Sequence, residues 1–142
     1  MIPTDTHPAR TAKRDYVDTS AFWEGICQSS LVLQYCTETG QYQHYPRPVS
    51  VQTGRKSLGW RSVNTKGVIY ALTRGSIGGR AHGSQAQDIS IALVELDVGV
   101  RILAVLDLDD GEKAEIGQLV HVSWIQHPDG YKYYAFRVID AV

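Results

Sequence analysis

From Trp60 onward the chain reads as all-β, built on the two-residue period of a strand. Val68, Tyr70 and Leu72 alternate with Ile69, Ala71 and Thr73; Ile89, Ile91, Leu93 and Glu95 alternate with Ser90, Ala92, Val94 and Leu96; Val120, Val122 and Trp124 alternate with His121, Ser123 and Ile125. Asp97-Val98-Gly99 makes a tight connection into Val100–Leu106, and Asp129-Gly130 marks another between Val120–Gln126 and Tyr131–Val138. These runs predict five strands, with a short acidic turn from Asp109 to Glu115, and so a small Greek-key barrel. Ahead of them the period changes. Phe22, Trp23 and Ile26 share one side of a short helix that Asp18, Thr19 or Ser20 can cap, and Gly25 weakens it enough that it needs packing partners. Leu31, Leu33 and Tyr35 then alternate with Val32, Gln34 and Cys36 as a further strand, and Pro46 and Pro48 forbid regular structure around Arg47. Residues Met1 to Tyr16 have no apolar period and are expected to form an extended or partly ordered arm.

Composition narrows the function classes. The chain has 142 residues, 43% of them hydrophobic, enough for one ordinary domain or a small domain plus a subdomain. Its 14 Lys and Arg against 15 Asp and Glu give a formal net charge of -1, so no global attraction to phosphate backbones or anionic membranes is built in. Two cysteines, Cys27 and Cys36, are too few for a disulfide framework, and there is no signal-like run and no apolar stretch of the ~20 residues that would span a bilayer. A soluble, cytoplasmic protein is the expectation.

Six segments in order carry a resemblance: FWEG at Phe22 to Gly25, LQYC at Leu33 to Cys36, YPRPV at Tyr45 to Val49, GVIYALT at Gly67 to Thr73, IALVELDVGVRILAVL at Ile91 to Leu106, and the IGQLVHVSW stretch from Ile116 to Trp124. Together they resemble the DUF35 family, small proteins with an N-terminal helical region, a rubredoxin-like zinc ribbon and a C-terminal OB-fold. The resemblance implies a mainly β fold in three parts: an N-terminal arm and helix over 1–30, a zinc-ribbon-like subdomain over 31–60, and a five-stranded OB-fold barrel over 61–142. It also locates a departure. A ribbon holds tetrahedral zinc with two paired-thiolate turns, and here Cys36 alone stands at a ligand position, with Thr39, Ser50 and Thr53 at the other three. No metal is expected. Tyr35, Tyr42, Tyr45 and Leu58 are the candidates for replacing the lost cross-link, and Thr39→Cys, Ser50→Cys and Thr53→Cys together are expected to restore zinc binding.

Candidate chemistry is sparse. Cys36 has only His44 as a nearby histidine in sequence and reads as a leftover ribbon position, while Cys27, behind Trp23, is expected to be buried packing. The histidines His7, His44, His82, His121 and His127 fall at no ligand spacing. DLDDG at Asp107 to Gly111 has its glycine at the wrong position for a calcium loop and reads as a solvated turn. Arg74 to Gln85, with four glycines and two arginines, reads as a flexible hairpin loop; Arg74 and Arg80 are its candidates for meeting an anion such as the phosphates of coenzyme A. Single-stranded nucleic acid fits poorly, since no aromatic residue lies between Tyr70 and Trp124. In the late cluster Tyr131, Tyr133, Tyr134 and Phe136, the alternating faces of a strand put Tyr134 and Phe136 in the core and Tyr131 and Tyr133 outside or at an interface.

Members of the DUF35 family are similar in role: non-catalytic partners of thiolase-fold enzymes that handle acyl-CoA. The resemblance therefore implies an accessory subunit that has no catalytic residues or cofactor of its own and docks on a thiolase-like or acyl-CoA-handling enzyme. Phe22, Trp23, Tyr45 and Arg47, around the Pro46-Arg47-Pro48 corner, are the expected interface residues, and exposure of Phe22, Trp23, Tyr42 and Tyr45 is part of that expectation. A free-standing module that binds coenzyme A thioesters through Arg74 and Arg80 is the alternative, with a nucleic-acid binder less favoured and no membrane role.

Overall fold

The structure, a computed structural model, describes residues 19–79 and 84–139. Within them the elements run α1 (Ser20–Cys27), β1 (Val32–Cys36), β2 (Tyr42–Gln43), β3 (Leu58–Ser62), β4 (Lys66–Gly79), β5 (Ser84–Leu96), β6 (Arg101–Val105), β7 (Leu119–Gln126) and β8 (Lys132–Val138). The described residues divide into two compact units: one takes those up to Asn64 with Val98–Val100 and Trp124–Tyr133, the other those within Thr65–Asp97, Arg101–Ser123 and from Tyr134 on.

In the first unit, an antiparallel sheet of order β2-β1-β3 carries α1. Phe22 and Ile26, one turn apart, are the buried stripe of α1. Gly25 is required there because a Cβ would lie 2.7 Å from Val32 Cγ2 and 2.8 Å from the Ser30 carbonyl oxygen, so α1 and β1 meet closely at this point. Leu31, Leu33 and Cys36 complete this core. Thr19 is the N-cap of the helix, and its side chain makes no capping bond; its carbonyl accepts from the Phe22 and Trp23 amides.

In the second unit, the sheet has the order β6-β5-β4-β7-β8, and a parallel bridge between Leu106 and Phe136 brings the chain after β6 against β8. Numbered within the barrel, the nearly closed circuit is 1-2-3-5-4-1, with the end of the third strand running parallel to the fifth, the strand order of an OB-fold. Alternation along β6 is strict: Ile102 and Ala104 point in, and Arg101, Leu103 and Val105 point out. Ile69, Val94, Leu96, Ile102, Leu106, Val120 and Phe136 fill the interior. Gly67 is pressed between strands, because a Cβ there would sit 2.5 Å from the Glu95 carbonyl oxygen.

Several local expectations change. The segment Arg74 to Gln85 is not all loop: β4 continues to Gly79 and β5 begins at Ser84, with Ser76 paired to Asp88 and Gly79 to Ser84. Backbone pairing needs no side chain, so glycines can continue a ladder. Phe136 is core as expected, but Tyr134 is half-exposed and its hydroxyl donates to the Leu103 carbonyl at 2.9 Å; Ala135 takes the buried place beside Phe136. Cys27, the last residue of α1, is exposed rather than buried. The arm expected at Met1 to Tyr16, like Asp18, lies outside the described residues. No helix among the described residues is long and apolar enough to cross a membrane.

Candidate functional site

Two turns of the first unit share one hydrogen-bond pattern. In the first, the Gly40 amide donates to the Cys36 carbonyl at 2.7 Å and the Cys36 amide to the Gln41 carbonyl at 2.8 Å. In the second, the Gly54 amide donates to the Ser50 carbonyl at 2.8 Å and the Ser50 amide to the Arg55 carbonyl at 2.8 Å. Gly40 and Gly54 occupy the left-handed region, φ +75° and +70°, where glycine is favoured. Thr39 Oγ1 accepts from the Gln41 amide at 3.3 Å, and Thr53 Oγ1 from the Arg55 amide at 3.2 Å. Cys36 and Thr39 thus stand on one knuckle as Ser50 and Thr53 stand on the other.

A tetrahedral zinc does not fit this set. Zinc sites use thiolate, imidazole or carboxylate, and three of the four positions carry hydroxyls already bonded to knuckle amides, Ser50 Oγ through the Gln52 amide at 3.1 Å. Among the described residues, no group of three or more His, Cys, Asp or Glu converges on a metal position. The Cys36 sulfur, shielded from solvent, is bonded first by the Ser50 hydroxyl and then by Thr39, which pull its thiol down to about 7. Neither partner is a base, so the thiol has hydrogen bonds but no proton acceptor of the kind a nucleophile needs.

The cross-link between the knuckles is ionic. Arg55, just past the second knuckle, donates through Nε at 3.0 Å and Nη2 at 2.5 Å to the two oxygens of Glu38 in the first, and Ser57 Oγ donates to Glu38 at 2.6 Å. Arg55, and after it Ser57, hold the Glu38 carboxyl down at about 2. Of the aromatic residues expected in this role, Tyr35 and Tyr42 pack on each other with ring centroids 6.0 Å apart. Tyr35 lies over Gly59, where a Cβ would meet its ring at 2.8 Å, and Arg61 stacks on its outer face at 4.0 Å; Tyr45 is 53% exposed.

The expected docking residues divide. Phe22 is 5% exposed, in edge contact with Trp23 at 4.9 Å and 5.5 Å from His44, so it is core and not surface. Trp23 and Tyr42 are half-buried, and Tyr45, Arg47 and Pro48 are exposed. His44 lies against Tyr45 at 4.1 Å with both ring nitrogens buried and without a hydrogen-bond partner among the described residues; burial lowers its pKa to about 4.

Sequence reasoning missed the two glutamines behind the corner. Gln34 on β1 and Gln43 on β2 face each other in register and are 5% and 6% exposed. Gln34 donates to the Arg47 carbonyl and accepts from the Arg47 amide, both at 2.9 Å, and Gln43 bonds Gln34 at 2.6 Å, the Val49 carbonyl at 3.1 Å and the Val51 amide at 3.0 Å. The available signal was two amide side chains at strand positions beside buried apolar neighbours. In the barrel, Arg74 Nη2 donates to the carbonyl of buried Ala114 at 2.6 Å, so an anion there would share a guanidinium already in use; Arg80 lies outside the described residues.

Residues 60–124 match the family described as the ChsH2 C-terminal OB-fold domain. Over 132 residues the chain is 28% identical to the 3-oxo-4,17-pregnadiene-20-carboxyl-CoA hydratase alpha subunit of Mycobacterium tuberculosis (strain ATCC 25618 / H37Rv), a match covering 90% of this chain and 40% of that subunit. The chain therefore spans about two fifths of the length of this curated relative. Among solved structures, a chain of the Ltp2-ChsH2(DUF35) aldolase aligns with a TM-score of 0.74 and 24% identity over 89% of this chain and 97% of that one, a likeness that shows the fold. Residues 60–124 are thus an OB-fold domain of the ChsH2 C-terminal type, and the chain as a whole is similar in fold to a DUF35 protein.

Proposed function

We propose that this chain is a non-catalytic accessory subunit that docks on a thiolase-like acyl-CoA enzyme and supports its acyl-CoA binding or channelling. The observation that carries the reading is the match of 90% of the chain to part of a subunit named for a CoA-ester hydratase. A solved structure named for an aldolase with a DUF35 component has the same fold. In this reading the two-knuckle unit is a rubredoxin-like ribbon whose metal has given way to hydroxyls and the Glu38–Arg55 ion pair, kept for its shape. Trp23, Tyr45 and Arg47 form the docking surface, and Phe22 braces Trp23 from beneath. The chemistry of the complex belongs to the larger subunit.

The test is affinity capture from native lysate with the full chain as bait, followed by mass spectrometry and sizing of the complex. A thiolase-like protein retained at near-stoichiometric amounts is the expected result. Elution of the bait alone, with heat on titrating coenzyme A into it, would replace the docking role with direct ligand binding by the barrel.

A further inference from the structure

The corner at Arg47 is more tightly held than an ordinary surface loop. One buried carboxamide, Gln34, bonds both the amide and the carbonyl of Arg47, and Gln43 does the same work for the Val49 carbonyl and the Val51 amide. Side-chain amides here stand in for the backbone of a neighbouring strand. Prolines on both sides add their own restriction: Pro46 fixes its φ, and Pro48 confines Arg47 to extended backbone. Burying two carboxamides is costly unless every group is bonded, and a satisfied network of this kind specifies one shape.

That rigidity ends in an unused cation. Among the described residues, the arginines other than Arg47 are engaged through their guanidinium: Arg55 with Glu38, Arg61 on Tyr35, Arg74 with the Ala114 carbonyl, Arg101 with Glu95, Arg137 with Asp107 and Asp109. Among the described residues Arg47 has hydrogen bonds only at its backbone, and its side chain is exposed. From Thr39 to Gly54 it is the only Lys, Arg, Asp or Glu. Tyr45 at 53% and Val51 at 50% exposure lie on the same segment. A guanidinium carried on a fixed stretch of backbone and bordered by open apolar side chains suits a carboxylate set in an apolar surround, because the planar fork bonds both oxygens.

We propose that Gln34 and Gln43 are positioning residues that present Arg47 as a carboxylate anchor, and that its ligand is an acidic side chain on an otherwise apolar patch of the partner subunit, which seats on Tyr45 and Val51. The proposal rests on the docking role above.

The experiment titrates the purified thiolase-like subunit that co-purifies with the wild-type chain against full-length variants at low salt and at about 0.5 M salt. Arg47→Gln is expected to weaken binding about tenfold or more at low salt, with most of the difference lost at high salt. Arg47→Lys recovers only part of the affinity, since an ammonium lacks the fork. Arg101→Gln, which removes the same charge from the barrel, stays within about twofold of wild type; an equal loss there would make the effect one of net charge and overturn the anchor. Gln34→Leu, checked for folding by its thermal transition, is expected to approach Arg47→Gln, and adding Arg47→Gln to it should then cost little more, a non-additivity that a purely structural role would not produce. If Gln34→Leu fails to fold, the Arg47 series decides alone. Wild-type affinity retained by Arg47→Gln overturns the anchor and leaves the docking role standing. Release of the complex by excess coenzyme A through Arg47 would make the anion a phosphate and overturn the carboxylate. Absence of any thiolase-like partner removes both.

Discussion

His44→Phe is expected to stabilise the protein and to remove one defined part of its pH dependence. Both imidazole nitrogens are buried with no hydrogen-bond partner among the described residues, and the ring sits 5.5 Å from Phe22 and 4.1 Å from Tyr45. A buried polar atom left unbonded costs about 1–3 kcal/mol, and a phenyl ring abolishes that cost while adding slightly to the volume, so a net gain of about 1–2 kcal/mol at neutral pH is expected. The pH dependence follows from burial, which lowers the pKa from 6.5 to about 4. Because the folded value lies below the unfolded one, the unfolded chain binds the proton first. Stability is therefore complete above about 6.5, falls as the pH drops towards 4 and levels off below, a loss of about 3 kcal/mol at most. Glu38 has its own window, since its carboxyl drops from 4.5 to about 2 and its contribution is lost only as the pH falls through that lower range. Urea unfolding of wild type and His44→Phe at about pH 7, 5 and 4 separates the two. The variant should be flat from about pH 7 to 5, where the wild type already slopes, and both should weaken further below that as Glu38 enters its own window. A wild type with constant stability from about pH 6.5 to 4, or a variant that keeps the slope, would refute the reasoning.

Thr39→Cys, Ser50→Cys and Thr53→Cys combined should give, with Cys36, a protein that binds one zinc and melts higher with it than without; a folded triple variant that takes no zinc would show that the two knuckles are out of register. In the unaltered chain, iodoacetamide at neutral pH should modify exposed Cys27 promptly and Cys36 only on unfolding, because shielding outweighs a thiol that ionises near 7; mass spectrometry showing equal rates would contradict the burial of Cys36. Gly67→Ala should destabilise the barrel by about 2 kcal/mol or more in denaturant titration, since the added methyl would meet the Glu95 carbonyl oxygen at 2.5 Å, and a neutral result would mean that β4 and β5 can part there.

The barrel was legible because its strands bury one face: Ile102 and Ala104 in β6 and Val120 and Val122 in β7 alternate with exposed neighbours, and periodicity reads that directly. The strands β2 and β3 were not, since two residues set no period and Gly59 interrupts the other. Cys27 was misplaced by its nearness to Trp23, although Trp23 is itself half-buried and the apolar stripe of α1 runs through Phe22 and Ile26. The candidate site was legible only in part. Arg47 and Tyr45 stand out beside two prolines, but their support comes from Gln34 and Gln43, and no local pattern joins positions 34 and 43 to the backbone at 47, 49 and 51. Likewise the Glu38–Arg55 pair spans 17 residues and is fixed only once both knuckles have turned.

The ionic cross-link between the knuckles changes what the fold depends on. A domain closed by a bound ion has a stability that follows the logarithm of free-ion concentration, so it responds to supply, to competing chelators and to oxidation of its thiolates. A domain closed by Glu38, Arg55 and Ser57 carries its closing groups in its own covalent chain, always at full occupancy. Its external variables become ionic strength and strong acid. The two glycine turns thus keep their shape under metal limitation, at the expense of a closure that salt can weaken.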